Sequence, residues 1–255
     1  MGIAALTRPV SVSLSACELT HLERQPIDLG LARQQHAAYC QALAEAGCQV
    51  RSMPALPDQP DAVFVEDVAV VLDELAVITR PGAASRRPEA ISAAEALAAY
   101  RPLETIQTPG TLEGGDVLRL GRNVYVGLSG RSNAAGIAQF QAILELYGYQ
   151  VIGVPVSGCL HLKSAVTQVA EQLLLGNPAW VAPDVFQGYK WLSVDPSEPY
   201  AANCLWVGSE RLYPASFPET RARLAAHGLP VHSLDVSELQ KAEGALTCCS
   251  LIFAQ

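Results

Sequence analysis

Short apolar runs alternate with polar turns along the whole chain, while a few longer segments carry apolar residues at helical spacing. The short runs predict strands at residues 3–14, 50–53, 61–67, 75–79, 105–108, 117–120, 124–126, 151–156, 165–169, 172–175, 203–207, 211–214, 231–234 and 251–253. The longer segments predict helices at residues 28–47, 88–100, 131–147 and 218–226. Asp28 is the expected N-cap of the first helix and Gly47 its expected end. This mixture of elements predicts an α/β fold.

One order of elements recurs along the chain, namely strand, polar residues, strand hairpin, helix and strand. The polar points lie near Asp67, Glu113, His161, Asn203 and Cys248, roughly forty-five residues apart, a period typical of units that stack or close into rings. No spacer separates the five units, so we predict a single domain over residues 1–255. In a closed ring the five polar points would converge on the axis.

Residues 244–253 contain two adjacent cysteines, Cys248 and Cys249. A glycine turn precedes them and an apolar stretch follows, so the backbone would fix a thiol from both sides, as a nucleophile requires. The alternative is a buried C-terminal strand in which the cysteines are small core residues. This run alone does not decide between the two interpretations.

Composition and charge narrow the classes of partner and compartment. The net charge is −8 and the pI is near 5.1, which argues against nucleic acid or an anionic membrane as the main partner, because both require a basic surface. No apolar run approaches the length of a membrane span, and the first residues predict no secretory signal. The 7 cysteines, without a CxxC pair, indicate reduced thiols in a cytoplasmic protein rather than a disulfide framework or a structural zinc site.

The polar points together supply a thiol, an imidazole, carboxylates and arginines. A cysteine and a histidine far apart in sequence are the ordinary arrangement for thiol catalysis, which favours Cys248 and His161 as a pair. Carboxylates beside them are costly unless they hold a cation, and a planar guanidinium with several donors meets that need. Arg86 and Arg131 could bind a carboxylate elsewhere on the same ligand. The predicted ligand therefore has a guanidinium at one end and an amino-acid head at the other.

Each of these features has a purely structural alternative. His161 lies between two leucines and could be a core histidine, while Glu66 and Asp67 could form a solvated strand end. Arg86 could belong to a solvated turn, and residues 113–116 could be an acidic hairpin loop. A zinc site built on the thiol and the imidazole would need a third close ligand, so we predict no metal.

These motifs, in this order, resemble the dimethylarginine dimethylaminohydrolase family, within the guanidine-modifying superfamily that includes arginine deiminases and amidinotransferases. Any one motif is weak, but all of them in order are specific, and they cover nearly the whole chain from about residue 30. The matching stretches are DAVFVED (61–67), ITRPGAASRR (78–87), PGTLEGGD (109–116), RSNA (131–134), LHLK (160–163), YAANCLWV (200–207) and TCCSL (247–251).

The resemblance implies a five-bladed α/β propeller with pseudo-fivefold symmetry and a reaction that needs no cofactor. It implies that Cys248 is the nucleophile and His161 the general acid and base, with Glu113 as the third catalytic residue. Glu113 and Asp67 would hold the guanidinium. The other substrate-binding residues that it implies are Leu19 and Ala242 through backbone groups, Phe64, Glu66 beside the guanidinium, Asp61 at the substrate ammonium, and Arg86 and Arg131 at its carboxylate.

The implied reaction is hydrolysis of an arginine-like guanidine, N-methylated arginine above all, to citrulline and an alkylamine through a thiouronium on the cysteine. The implied partner is a small guanidine rather than nucleic acid or membrane, and a homodimer is compatible with the resemblance. One alternative is an arginine deiminase or dihydrolase acting on unmethylated guanidine, although familiar deiminases carry a helical insertion for which this chain is short. An amidinotransferase and a non-catalytic propeller that binds a macromolecule are the others.

The chain departs from the family pattern at two places. Residues 17–28, called the lid loop below, carry Glu18 and His21, and their polar, non-periodic sequence predicts a functional loop over the site. The run before the nucleophile has Ala245 and Leu246 where a glycine-containing turn is expected. Both departures bear on the choice of substrate more than on the chemistry.

Overall fold

The computed structural model describes residues 2–255, which form five sheets of three strands each. The strands are β1 (Ile3–Thr7), β2 (Cys48–Ser52), β3 (Ala69–Val71), β4 (Ala76–Ile78), β5 (Leu103–Thr105), β6 (Val117–Leu120), β7 (Asn123–Leu128), β8 (Gln150–Pro155), β9 (Val166–Ala170), β10 (Leu173–Gly176), β11 (Lys190–Ser193), β12 (Leu205–Val207), β13 (Glu210–Pro214), β14 (His232–Leu234) and β15 (Leu251–Ala254). The α-helices are α1 (Leu29–Glu45), α2 (Glu89–Leu97), α3 (Ala134–Leu144), α4 (Leu162–Ala165), α5 (Pro218–Ala226) and α6 (Ser237–Gln240).

Four of the sheets repeat one arrangement along the chain. An antiparallel hairpin supplies the first and middle strands, and a third strand then pairs in parallel with the middle one, as in β6-β7-β8. A parallel neighbour requires a crossover connection, and α2, α3 and α5 provide it in three of these sheets. Between β10 and β11 the crossover contains the 3₁₀ turn Pro183–Val185 instead of an α-helix.

The fifth sheet joins the two ends of the described chain. β15 pairs antiparallel with β1, with Leu6 opposite Leu251, and β1 pairs in parallel with β2 after helix α1. The C-terminal strand thus takes the place that a hairpin strand has in the other sheets. Five equivalent blades close into a ring, which confirms the predicted five-bladed α/β propeller.

The polar points lie where strands begin, whereas the sequence placed them where strands end. A single helical turn precedes the first strand of four blades: Val65–Val68 before β3, Gly114–Asp116 before β6, α4 before β9 and Thr247–Cys249 before β15. Each turn changes the direction of the chain just before the first strand of its blade, so the polar residues lie at equivalent positions in the four blades. The repeated turn therefore explains how residues from different blades reach one site.

Several predicted elements differ from the structure for local reasons. Residues 61–67 are not a strand but a turn and the start of a 3₁₀ helix, and their apolar residues, such as Val63, are buried there. The predicted strand 3–14 ends at Thr7, shortly before Pro9, which lacks a backbone N–H and cannot continue the ladder. β11 was not predicted. The first helix is capped as expected, because the Asp28 side chain accepts from the Leu31 N–H at 3.0 Å.

The apolar interior is divided among clusters that follow the blades. One cluster packs α1 against the C-terminal run and contains Leu43, Leu246 and Cys249, each at most 1% exposed. Another contains Phe140 of α3 beneath β6 and β7. No helix within residues 2–255 is long and apolar enough to cross a membrane.

Candidate active site

His161 and Glu113 form a buried hydrogen-bonded pair. Nε2 of His161 lies 2.7 Å from Oε2 of Glu113, and the two side chains are 4% and 0% exposed. Burial by itself lowers the pKa of His161, but the charge of Asp67 and the hydrogen bond to Glu113 outweigh it and raise that pKa to about 9. Burial acts to raise the pKa of Glu113, whereas the bond to His161 lowers it to about 2. At neutral pH the pair is therefore an imidazolium and a carboxylate.

The pair fits together because residues 114 and 115 are glycines. A Cβ on Gly115 would lie 2.6 Å from Nδ1 of His161 and 2.7 Å from Oδ1 of Asp67. A Cβ on Gly114 would overlap the backbone oxygen of Glu66. The Gly115 N–H instead donates to Oδ1 of Asp67 at 3.1 Å. The glycines of the LEGGD motif thus let three blades approach closely enough for two acids and the imidazole to share one site.

Asp67 belongs to a buried chain of alternating charges. Its Oδ2 accepts from Nη1 of Arg86 at 2.6 Å, and the same guanidinium donates to both carboxylate oxygens of Glu89 at 3.1 and 2.9 Å. Nη2 of Arg86 also donates to the backbone oxygen of Phe64 at 3.1 Å. Protein acceptors therefore engage Arg86 on every nitrogen, while it also lines the central pocket, and its contact with a substrate carboxylate stays a prediction.

Cys248 lies in the wall of the central pocket, which is lined by Glu18, Asp61, Phe64, Asp67, Arg86, Arg131, Leu160, His161, Ala242, Glu243, Gly244 and Cys248. Burial, with the negative charges of Glu66 and Asp67, raises the pKa of the Cys248 thiol to about 12. Its neighbour Cys249 is 1% exposed and belongs to an apolar cluster. Of the two adjacent cysteines, only Cys248 therefore faces the pocket that His161 lines.

Asp61 and Arg131 connect the central pocket to the lid loop. Oδ2 of Asp61 accepts the Glu18 N–H at 3.1 Å, and burial raises the pKa of this carboxyl. Nη2 of Arg131 donates to Oγ1 of Thr20 at 3.0 Å, and its Nη1 lies 3.5 Å from Oε1 of Glu113. Arg131 is less fully engaged than Arg86, so it is the better placed of the two arginines to bind a carboxylate.

Glu66 and Leu19 lie outside the lining of the central pocket. Glu66 pairs with Lys163 at 2.5 Å and accepts from Oγ1 of Thr247 at 3.0 Å, and it lines a second cavity together with Lys163. Its carboxylate thus supports the turn that carries the thiol, rather than facing the pocket. Leu19 is half-buried and packs against the apolar cluster of α1, and its predicted backbone contact stays a prediction.

Sequence reasoning missed the residues that hold the predicted ones in place. Asp116 is fully buried and accepts from the Leu162 N–H at 3.0 Å, next to His161, and from Ser129 and Ser132 at 2.6 Å each. Asn203, singled out only as a polar point, exchanges two hydrogen bonds with Thr247, next to Cys248. Asp116 could have been singled out from the sequence, because it is the last residue of the LEGGD motif. The sequence does not indicate the hydrogen-bond partners of Asp116 or Asn203.

Asp67, Glu113 and His161 also satisfy the geometry of a possible metal cluster, with ligand atoms within 4.8 Å of one another. Protein donors already engage these atoms, since His161 bonds to Glu113, and Asp67 bonds to Arg86 and Gly115. The arrangement is therefore accounted for as an ion-pair network. Chemically, it can stabilise a cation beside a thiol and supply a proton from an imidazolium.

A five-bladed α/β propeller with a cysteine, a histidine and acids on its central pocket is the architecture of guanidine-modifying enzymes that use a thiol. Residues 20–179 match the family model described as N,N dimethylarginine dimethylhydrolase, eukaryotic. The chain is 43% identical to the N(G),N(G)-dimethylarginine dimethylaminohydrolase of Streptomyces coelicolor, over 97% of this chain and 95% of that one. It is 38% identical to the protein of the same name from Pseudomonas aeruginosa, over 89% and 90%. The chain belongs to the dimethylarginine dimethylaminohydrolase family.

Solved structures agree with this assignment. A cysteine-to-serine mutant of the Pseudomonas aeruginosa protein, complexed with citrulline, superposes with a TM-score of 0.93 at 35% identity, covering 99% of this chain and 100% of that one. The N-terminal domain of a cyanobacterial arginine dihydrolase bound to its substrate superposes with a TM-score of 0.87 at 19% identity, covering 98% and 97%. At 19% identity, the second comparison supports the similarity of fold alone.

Proposed function

We propose that this protein hydrolyses N-methylated arginine to citrulline and an alkylamine, with Cys248 as the nucleophile and His161 as the proton carrier. The observation that carries the proposal is the shared central pocket, in which the Cys248 thiol, the His161 imidazolium and the Asp67 carboxylate face one small space. Membership of the dimethylarginine dimethylaminohydrolase family supports the same reaction.

The charges of the ligand-free site explain why its thiol would be unreactive until the substrate binds. With a pKa of about 12 the Cys248 thiol is neutral at pH 7, and with a pKa of about 9 His161 is protonated. A bound guanidinium would place a positive charge beside the sulfur and offset the carboxylates that hold the thiol neutral. The thiol would then release its proton to solvent, so the thiolate forms where a guanidinium is present to be attacked.

The chemical steps follow from these charges. The Sγ of Cys248 bonds to the guanidinium carbon, and the His161 imidazolium gives its proton to the departing alkylamine as the carbon–nitrogen bond breaks. The thiouronium that remains is attacked by water, which the now neutral imidazole deprotonates. The carbon–sulfur bond breaks to give citrulline, and the thiolate recovers a proton as product leaves. Glu113 keeps the imidazole oriented and supports its charge through both steps.

The other groups of the pocket would recognise the amino-acid head. Arg131 would bind the substrate carboxylate, since its guanidinium has weaker protein partners than that of Arg86. Asp61, buried at the lid side, would meet the ammonium. We further propose a cytoplasmic location, which the presence of only free cysteines among the seven supports.

The test is incubation with asymmetric dimethylarginine, monomethylarginine, arginine and agmatine, with separate assays for the ureido product and for the amine released. We expect citrulline and dimethylamine in equal amounts from asymmetric dimethylarginine, and no product from the Cys248→Ser variant. Ammonia and citrulline from arginine as the preferred reaction would overturn the proposal in favour of a dihydrolase. Absence of any ureido product would overturn it altogether.

A further inference from the structure

Three consecutive backbone N–H groups of the lid loop donate to one carboxylate, that of Glu243. The N–H of Thr20 lies 3.0 and 3.1 Å from its two oxygens, and the N–H groups of His21 and Leu22 lie 2.5 and 2.6 Å from Oε1. Convergent N–H groups of this kind form an anion-binding concavity, and a charged acceptor makes each bond stronger than a neutral one. Glu243 is therefore the main attachment of the centre of the lid loop.

The lid loop depends on such attachments because it contains no regular element. Residues 17–28 have neither helix nor strand assigned. Within residues 18–28, five backbone N–H groups have a hydrogen-bond partner in the described chain, and all five donate to carboxylates. Asp61 and Glu238 take one each, at Glu18 and Asp28, and Glu243 takes the other three. Loss of the Glu243 carboxylate would thus leave the N–H groups of Thr20, His21 and Leu22 without a protein acceptor, and the loop would keep the bonds from Arg131 to Oγ1 of Thr20 and from Lys241 to the Pro26 oxygen between its two ends.

The backbone at Glu243 is held in a conformation that a side chain disfavours. Its φ is +56°, and it is the one residue other than glycine with positive φ within residues 2–255. Hydrogen bonds on both sides constrain this backbone conformation, because the N–H groups of Ala242 and Gly244 both donate to the backbone oxygen of Leu239 at 3.0 Å. A Cβ on Gly244 would also overlap the ring of Phe64. Strain of this kind persists where surrounding contacts compensate for it, and the bonds to the lid loop are such contacts.

We infer that Glu243 is a positioning residue that holds the lid loop closed over the central pocket, an inference that rests on the proposed function. Glu243 lies next to Ala242, and the segment then continues to the nucleophile Cys248. Its carboxylate ties the lid loop to that segment, while Arg131 makes a second, weaker tie through Thr20. Closure excludes water from the guanidinium and so strengthens its pairing with the acids of the pocket.

Two substitutions and one matched control separate this role from general support of the fold. Glu243→Gln keeps the shape and one acceptor but removes the charge. Glu243→Gly removes the carboxylate and also relieves the backbone, since glycine adopts positive φ without strain. Glu23→Gln is the control, because it makes the same change on an exposed side chain of the same loop.

Hydrogen exchange measures the attachment without reference to turnover. We expect peptides covering residues 18–24 to exchange roughly tenfold or more faster in Glu243→Gly, less so in Glu243→Gln, and at the wild-type rate in Glu23→Gln. Trypsin should cut after Arg24 faster in the same order. The melting temperature of Glu243→Gly should equal or exceed that of wild type. Unchanged exchange at residues 18–24, or acceleration spread over the whole chain with a lower melting temperature, would overturn the inference.

Steady-state kinetics then connects the lid loop to the reaction. We expect Glu243→Gly to lower kcat/KM for asymmetric dimethylarginine by roughly ten- to a hundredfold, the range for losing charge-assisted hydrogen bonds, and Glu23→Gln to leave it unchanged. An unchanged kcat/KM in Glu243→Gly would overturn the role in positioning. If wild type proves inactive while the exchange result holds, the proposed reaction fails and the attachment stands. If wild type is active and exchange is unaffected, only the attachment fails.

Discussion

The imidazole of His161 lies against the carboxylate of Glu113 with 2.7 Å between Nε2 and Oε2, and both side chains are shielded from solvent. The charge of Asp67 and the bond to Glu113 keep His161 protonated, with a pKa of about 9, and the bond to His161 keeps Glu113 ionised, with a pKa of about 2. The same relationship governs a proposed catalytic proton and part of the stability of the fold, so it can be tested in both ways.

Replacement of Glu113 by Gln should change stability in a defined pH range. The raised pKa of His161 contributes stability that is complete below its usual 6.5 and lost as pH rises through about 9. The lowered pKa of Glu113 contributes stability that is complete above its usual 4.5 and lost as pH falls towards about 2. The difference in free energy of unfolding between wild type and Glu113→Gln should therefore be largest between these usual values. Urea denaturation across pH measures it.

The control for that series is Glu145→Gln, which changes an exposed glutamate. Its unfolding free energy should follow wild type at every pH. A Glu113→Gln difference that keeps growing above pH 9 would contradict the assignment of the raised pKa to this pair. Turnover by Glu113→Gln should fall by about 10²-fold or more at neutral pH, since the imidazole loses both its orientation and its charge partner.

Cys248→Ser should abolish turnover with little change in melting temperature, while Cys249→Ser should keep most activity. Cys248 lines the central pocket, whereas Cys249 is buried in an apolar cluster and its Sγ donates to the Ala245 oxygen at 3.4 Å. Since the pKa of Cys248 is about 12, the rate of its alkylation by iodoacetamide should be low at pH 7 and should still increase with pH at about pH 9. Peptide mapping after alkylation identifies the labelled residue. Near-wild-type activity of Cys248→Ser would assign the nucleophile elsewhere.

The two arginines that the sequence grouped together should behave differently on substitution. Arg131→Ala should weaken the binding of substrates that have an α-carboxylate by roughly ten- to a hundredfold, because a charged hydrogen bond contributes about 1.5–3 kcal/mol. The binding of agmatine, which lacks this carboxylate, should barely change. Arg86→Ala leaves the buried Asp67 and Glu89 without their cation, which costs about 3–5 kcal/mol of stability. Thermal denaturation and KM together distinguish the two effects.

Arg33→Ala, on the exposed face of α1, is the control for both arginine variants and should resemble wild type. Equal losses of binding for arginine derivatives and agmatine in Arg131→Ala would show that Arg131 supports the pocket instead of the carboxylate.

Side chains of the lid loop should influence which guanidine is preferred. Glu18 lines the central pocket and accepts from Oγ of Ser85 at 2.5 Å, whereas His21 lines a neighbouring cavity of about 210 Å³ beside Leu160 and Ala245. We expect Glu18→Ala and His21→Ala to change the ranking of arginine, its methylated forms and agmatine. Relative kcat/KM values in a competition assay measure that ranking. A uniform decrease for all substrates would assign selectivity to residues such as Ala245 and Leu246 instead.

The ring should unfold as one unit, as predicted for a single domain. β1 and β15 hold the two ends in one sheet, so the fifth blade is complete only when the ring closes, and a ring of packed blades should unfold cooperatively. We expect one calorimetric transition in the ligand-free protein, and deletion of residues 251–255 should remove it. Two well-separated transitions in the intact protein would show independent units.

The sequence by itself determined the repeat, the fold class and the family, because those depend on patterns that recur every few dozen residues. Periodic apolar runs, the capping residue Asp28 and the terminating Gly47 are local signals that the chain carries in its letters. Polar residues at the same stage of each unit were sufficient to predict that Glu113, His161 and Cys248 would converge.

Only the tertiary structure decided what each converging side chain contacts. Arg86 is engaged by Asp67 and Glu89, Glu66 turns to Lys163, and Glu243 reaches the lid loop from more than two hundred positions away in the chain. No local pattern records such pairings, since hydrogen bonds and desolvation depend on distances between blades. The charge on His161 and the neutrality of the Cys248 thiol arise from those same distances, which the chain acquires only when the ring closes.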